Sequence, residues 1–314
     1  MPTPTPSRSF PIVAFFSAAA LLVTALPAAA QPAAPVAAPA VAAPVPDVVK
    51  MDRISAEQVV MLNAILKKDL MQVDPSLKEI FDKYPRYTLL PGQKPNTAII
   101  PNLAAGFQTK HTANNAIAAK GDIDLLFMGD SITDFWRNAP KDGQPFTAMA
   151  GKAVLDKYWG NVKLANFGIA GDTTQGVIFR LQNGEGQGFQ PKAIMLMIGT
   201  NNAGTNTGAE IAEGVGAIIL EMRKDFPNAK ILLLAIFPRG NPGDAVRGIN
   251  ADANKIIAKL DDGKNVFFMD IGDKFLSPDG TIAPDIMADK LHPTDKGYEI
   301  WAAAVKDKLA ALMQ

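Results

Sequence analysis

The chain contains no cysteine and only two histidines. No disulfide can staple it, so an apolar core must hold the fold. No cysteine follows the N-terminal apolar run, which excludes a thioether-linked lipid anchor there. Excess charge is missing too, because 31 basic residues balance 31 acidic ones. That balance, with no basic run interleaved with aromatics, gives no expectation of nucleic acid or an anionic membrane as partner. Histidines and carboxylates are not clustered at ligand spacing, so no metal and no cofactor is expected. Beyond the N-terminus no segment is apolar enough to cross a bilayer.

What is present at the N-terminus reads as an export signal over residues 1–30. Arg8 is its only charge, an apolar run covers 10–26, and Ala28-Ala29-Ala30 gives a small-x-small cleavage pattern. Pro11, Ser17 and Thr24 interrupt that run. Cleavage after Ala30 is expected, which would make the protein secreted or periplasmic with no membrane insertion afterwards; an uncleaved anchor is the alternative reading of the same run. Residues 31–46 are almost wholly Ala, Pro and Val, the composition of a stiff, disordered linker. Residues 47–110 form an N-terminal helical and extended segment. Ile54, Val59, Leu62, Ile65, Leu66 and Leu70 fall near one helical face, and Ser55 with Gln58 makes a capping box. Two short helices are expected over 54–84, leaning on the main domain or shielding part of it. The Pro-rich stretch 85–110 is expected to be extended.

The main domain is expected over 111–314. Short apolar runs at 124–128, 162–166, 193–198, 230–236 and 266–270 alternate with helical patterns at 174–181, 209–225, 245–260 and 294–312. Such alternation implies an α/β fold with a five-stranded parallel sheet covered by helices on both faces. Near-continuous apolar strands fit burial on both sides.

Ligands of open α/β sheets bind beyond the carboxyl ends of the strands. The first strand runs into Gly129-Asp130-Ser131, the second into Asn166-Phe167-Gly168-Ile169-Ala170-Gly171-Asp172, and the third into Gly199-Thr200-Asn201-Asn202. After the fifth comes Asp289-Lys290-Leu291-His292. The chemistry that fits is acyl transfer. Ser131 sits where a strand turns into a helix, with its hydroxyl toward the cleft. An alcohol needs a base within hydrogen-bond reach to act as a nucleophile. His292 can be that base, with Asp289 three residues earlier accepting from its other ring nitrogen. An oxyanion would find donors in the Ser131 and Gly171 N–H groups and the Asn201 side-chain amide. Each signal taken singly also has a structural reading as a helix cap, a turn former or a surface loop residue.

At these residues the sequence resembles the SGNH (GDSL) hydrolase superfamily. Gly129-Asp130-Ser131-Ile132 resembles its first block, which carries the nucleophile. The stretch Asn166-x-Gly168-x-x-Gly171-Asp172 resembles the second, with the oxyanion glycine at Gly171. Gly199-Thr200-Asn201-Asn202 resembles the third, with the oxyanion asparagine at Asn201. Asp289-x-x-His292-Pro293 resembles the fifth, which holds the acid and base. Residues 166–174, 180–185, 238–240 and 277–280 are similar in particular to platelet-activating-factor acetylhydrolase catalytic subunits and their bacterial relatives. The resemblance implies a three-layer α/β/α flavodoxin-like domain and metal-free hydrolysis of short acyl esters, usually acetyl. Those subunits are cytosolic, whereas this chain carries an export signal. Exported members of the superfamily often deacetylate carbohydrates, so the resemblance implies an acetylated carbohydrate as substrate. Lysophospholipase, lipase or thioesterase chemistry on lipid-like acyl esters is the alternative, and a binding module using the same cleft is a third reading.

Around the site, Asp130 is expected to brace the turn through backbone hydrogen bonds. Phe135 and Trp136 are expected either in the acyl pocket or in the core. His111 reads as structural or surface, Thr173 and Thr174 as helix caps, and Arg180 and Arg239 as members of ion pairs.

Overall fold

A computed structural model describes residues 41–84, 94–139 and 149–314. The expected export signal and residues 31–40 lie outside the described residues, as does the 85–93 part of the expected extended stretch. In chain order the described regular elements are α1 (Ala56–Val73), α2 (Leu77–Lys83), α3 (Gln108–Ala118), β1 (Leu125–Gly129), α4 (Ser131–Asp134), α5 (Lys152–Trp159) and β2 (Leu164–Asn166). They continue with α6 (Thr174–Arg180), β3 (Ala193–Met197), α7 (Gly208–Asp225), β4 (Lys230–Leu234), α8 (Ala245–Ile257), β5 (Val266–Met269) and α9 (Asp295–Leu312).

The five strands form one parallel sheet in the order β2-β1-β3-β4-β5. Alternate residues of each strand serve two cores. Leu126, Met128, Ile194, Leu196, Ile231 and Leu233 pack toward α6, α7 and α8. Leu125, Phe127, Met195, Met197, Leu232 and Leu234 pack toward the opposite face, with Trp136, Trp159 and Trp301. Burial on both faces is why the strands read as unbroken apolar runs rather than alternating ones. Crossover helices cover both faces, so the fold is the expected α/β one.

Two stretches depart from expectation. The end of the predicted disordered linker is docked against the domain. Ala43 is 7% exposed and its N–H donates to Ile99 O at 2.7 Å. Val49 and Pro46 lie against Gly216 of α7, where a Cβ would come within 2.6 Å of Val49. The reason is Glu213, fully buried on α7, whose carboxylate accepts from Met51 N at 2.9 Å, Arg53 Nη1 at 2.7 Å and Asn96 Nδ2 at 2.8 Å. A buried carboxylate must be hydrogen-bonded, and the N-terminal segment supplies the donors.

The second departure is the helical pair. The Ser55–Gln58 capping box forms as expected. Yet Val60, Met61, Ile65 and Ile80 are 70, 56, 46 and 51% exposed, so α1 and α2 present apolar side chains to the surface. The segment leans on the domain through residues 41–53 and 96–100. Also, α3 extends from Gln108, so the domain's first helix crosses the expected boundary at 111. Among the described residues no helix is long and apolar enough to cross a membrane.

Candidate active site

Two long-range contacts bring the start of the sheet to the end of the chain. Tyr298 Oη donates to Ile132 O at 2.8 Å, tying α9 to α4. The Tyr298 ring lies 4.4 Å from that of Trp136. With α9 so fixed, Thr294 caps it, accepting from Gly297 N at 3.2 Å, and His292 is held two residues before the cap. The His292 ring rests 5.1 Å from the Phe135 ring, centroid to centroid.

Ser131 begins α4 directly after β1 and is 6% exposed. Its Oγ lies 2.8 Å from His292 Nε2. His292 Nδ1 lies 2.6 Å from Asp289 Oδ2. Asp289 Oδ1 accepts from the N–H groups of Leu291 at 3.0 Å and His292 at 2.8 Å. Burial acts to raise the Asp289 carboxyl. Those N–H groups and the His292 ring outweigh it, so the group is held below the usual carboxylate range. Lys290 takes a positive φ of 57°, and Gly240 N donates to its carbonyl at 2.8 Å, closing the turn onto the loop after β4.

The loop after β2 is clamped over α4. Asn166 Nδ2 donates to Thr133 O at 2.7 Å, and its Oδ1 accepts from Gly168 N at 2.9 Å. A Cβ on Gly168 would lie 2.4 Å from Asp134 N, so no other residue permits this approach. Asp134 accepts from Ala170 N at 2.9 Å and pairs with Lys110 and Arg137. Arg137 in turn donates to the carbonyls of Asn166 at 3.0 Å and Gly168 at 2.8 Å. The result is a Gly171 with φ of 87°, exposed at the surface, with the Phe107 ring beside it. Asn201 Nδ2 donates to Asp172 O at 2.8 Å, which places the third sequence block against the second.

The sequence reading missed the Asp134–Arg137 clamp, although its i,i+3 spacing on a helix is a readable signal. It also missed Lys110 and Phe107, which reach the site from the N-terminal segment with no local pattern to announce them. Trp136 is fully buried in the core, whereas Phe135 is half-buried against His292. His111 is buried, with Nδ1 2.8 Å from Glu185 Oε1. Thr173 makes no side-chain cap, and Thr174 Oγ1 donates instead to Ala98 O at 2.8 Å. Arg180 pairs with both Asp172 and Glu185. Arg239 makes no ion pair among the described residues; it donates to Thr200 O at 3.2 Å.

Asp130 is 1% exposed and accepts from Ile132 N at 3.0 Å. Burial pushes its carboxyl from an ordinary 3.8 up to about 7; the Asp172 carboxylate adds to the rise, while Ile132 N–H and Arg239 oppose it. The folded state therefore keeps a proton that the unfolded chain releases above its ordinary value. Stability contributed by that proton is lost as pH rises through about 7. Asp130→Asn retains the acceptor for Ile132 and removes the titration. Between pH 5 and pH 8, the wild-type urea midpoint should fall relative to that of the variant. A difference independent of pH would contradict this reading.

Among the described residues no group of three or more histidines and carboxylates could hold a metal ion. Residues 127–300 match the model of the GDSL-like lipase/acylhydrolase family. The chain belongs to that family. A rat platelet-activating factor acetylhydrolase IB subunit alpha2 is 33% identical over 210 residues, 65% of this chain and 86% of the relative. The human subunit alpha1 is 35% identical over 191 residues, 60% of this chain and 77% of the relative. A crystal structure of a GDSL-like lipase from Bacteroides thetaiotaomicron aligns with a TM-score of 0.51 at 18% identity, covering 66% of this chain and 98% of that one. That likeness concerns the fold alone. As a member of the GDSL family with acetylhydrolase relatives, the protein is an ester hydrolase.

Proposed function

We propose that this ester hydrolase is an exported serine esterase that removes short acyl groups, acetyl above all, from carbohydrate hydroxyls. The observation that carries the catalytic part is the continuous chain Ser131 Oγ, His292 Nε2, His292 Nδ1 and Asp289 Oδ2, at 2.8 and 2.6 Å. His292 Nε2 takes the Ser131 proton as the oxygen attacks the acyl carbon. Asp289, kept ionised by its hydrogen bonds, stabilises the imidazolium. The negative oxygen of the tetrahedral intermediate is met by the N–H groups of Ser131 and Gly171 and by the Asn201 amide. That amide spends one N–H on Asp172 O and keeps a second for the oxyanion. The intermediate expels the alcohol, which takes the proton from His292. Water then repeats the sequence on the acyl-enzyme and releases the acid.

Support for a short acyl group comes from the acetylhydrolase relatives and from Phe107 and Phe135, which flank the site at Gly171 and His292. The Arg8 and apolar pattern of residues 1–30 supports export, and hence a substrate outside the cytosol. The exposed apolar side chains of α1 and α2 favour the second reading, a lipid-like ester. A chain-length series separates the two. Across p-nitrophenyl esters from acetate to octanoate, kcat/KM should fall on the order of 100-fold, as each misfit methylene in a small pocket lowers it. Acetylated xylan should release acetate, and phospholipid should be spared. Rising kcat/KM with chain length would overturn the acetyl assignment.

A further inference from the structure

The loop after β4 supplies none of Ser131, His292 and Asp289, yet it meets both halves of the site. Gly240 N donates to Lys290 O at 2.8 Å, and Lys290 Nζ donates to Asn241 Oδ1 at 2.5 Å, so the Asp289–His292 turn is fastened to this loop. One residue earlier, Arg239 Nη1 donates to Thr200 O at 3.2 Å and to Thr200 Oγ1 at 3.3 Å. Thr200 immediately precedes Asn201. Arg239 is half-buried and forms no ion pair among the described residues, so its guanidinium serves the turn after β3 rather than a carboxylate.

That turn needs support from outside. Thr200 is buried and opens a single 3₁₀ turn over Thr200–Gly204. Hydrogen bonds within such turns are poorly aligned, so a turn this short holds its own first peptide weakly. Its flanks are fixed by other contacts. Gly199 adopts a φ of 130° against the Ile236 and Ile211 side chains, and buried Asn202 accepts from Thr174 N at 3.0 Å. Asn250 Nδ2 donates to Thr200 Oγ1 at 3.1 Å and so fixes the side chain. Between these points lies the Thr200–Asn201 peptide, and its carbonyl is the atom that Arg239 meets.

We propose that Arg239 is a positioning residue of the oxyanion hole, holding the Thr200–Asn201 peptide so that the Asn201 amide meets the transition-state oxygen. A peptide unit is planar, so the direction of the Thr200 carbonyl sets the direction in which Asn201 begins. The far end of Asn201 is fixed by its donation to Asp172 O at 2.8 Å, which leaves the second N–H of the amide for the oxyanion. With both ends held, that N–H has one direction. Donors of this kind act by being in place before charge develops, and a misplacement of about 1 Å can cost on the order of 100-fold in rate.

The role rests on Asn201 as an oxyanion donor in the reading above, and it is independent of which ester is the substrate. It also gives the loop after β4 one task at both of its contacts. Through Gly240 it sets the turn that carries the acid and base, and through Arg239 the turn that carries the oxyanion amide. Arg239 works through Thr200 and Asn201 and makes no contact of its own with the reacting atoms.

The test is a double-mutant cycle on the full chain, read as kcat and KM for p-nitrophenyl acetate. Asn201→Ala alone should lower kcat roughly 100-fold. Arg239→Met alone should lower kcat on the order of tenfold, with KM within about twofold of wild type and a native melting profile. In the Asn201→Ala background the same change should cost about twofold or less, because the amide it positions is gone. Arg239→Gln, polar and too short to reach Thr200, gives the same cycle if Arg239→Met melts below the assay temperature. An equal loss in both backgrounds would overturn the proposal, since Arg239 would then act independently of Asn201. So would wild-type kcat in a folded Arg239 variant, or a raised KM at unchanged kcat, the mark of a substrate contact. Near-wild-type kcat in Asn201→Ala would remove Asn201 from the oxyanion hole and the role of Arg239 with it. A Ser131-dependent rate that Asn201→Ala lowers and Arg239→Met does not would remove Arg239 alone and leave the esterase reading standing.

Discussion

Ser131→Ala should fold as wild type does and lose on the order of 10³-fold or more in kcat on p-nitrophenyl acetate. The change removes one oxygen from a site that is 6% exposed, and it leaves the donors around the oxyanion in place. Those donors sustain a residual rate, so the loss is large without being complete. His292→Ala should lose a comparable factor, since an alcohol without a base is a poor nucleophile. The double variant should be little worse than either single one, because the two side chains act as a unit. A near-wild-type rate in Ser131→Ala, with an unchanged melting profile, would refute the nucleophile assignment.

The largest expected effect on stability lies one layer beneath the site. Arg180 is fully buried, with Nε donating to Asp172 Oδ2 at 2.9 Å and Nη1 to Phe167 O at 2.9 Å, and it pairs with Glu185. Glu185 also meets His111 at 2.8 Å and Asn114 at 3.3 Å. Burial raises both carboxyls above their ordinary values, and Arg180 is the main influence against that rise in each case. Arg180→Met leaves two buried carboxylates without their cation, at a cost of about 3–5 kcal/mol. For a domain of this size that lowers Tm on the order of 10 °C.

The sign of its pH dependence follows from the same carboxyls. Without Arg180 their folded pKa values rise further above the unfolded ones, so stability is lost as pH rises. The deficit of the variant should therefore be greater at pH 8 than at pH 5. A shift of only a degree or two, or an equal deficit at both pH values, would show that the network is not holding the loop after β2.

Much of the architecture is written locally. All five strands were legible because a strand buried on both faces must be apolar throughout. The 266–270 run reads as clearly as 193–198, although β5 is an edge strand. The Asp289-x-x-His292 turn was legible because carboxylate and imidazole are three residues apart, close enough along the chain for one turn to join them. By contrast, α3 gave no helical signal. Its sequence is polar, and two of its buried residues are His111 and Asn114, chosen for the Glu185 network rather than for an apolar face. The docking of residues 41–53 was hidden for another reason. Ala, Pro and Val have the composition of a spacer, and the partners that turn residues 41–53 into a strap, Ile99, Gly216 and Glu213, lie further along the chain. Phe107 beside Gly171 and Lys110 on Asp134 are long-range pairings of the same kind.

The central claim is that the Ser131 oxygen, activated by His292, becomes covalently bonded to the acyl group. A fluorophosphonate, which phosphonylates an activated serine with loss of fluoride, followed by peptide mass spectrometry, reads which oxygen is the nucleophile. The adduct should fall on Ser131 alone, should abolish ester hydrolysis at one equivalent, and should form far more slowly in His292→Ala. Stoichiometric inactivation with the label on another residue, or full hydrolysis by protein labelled at Ser131, would contradict it.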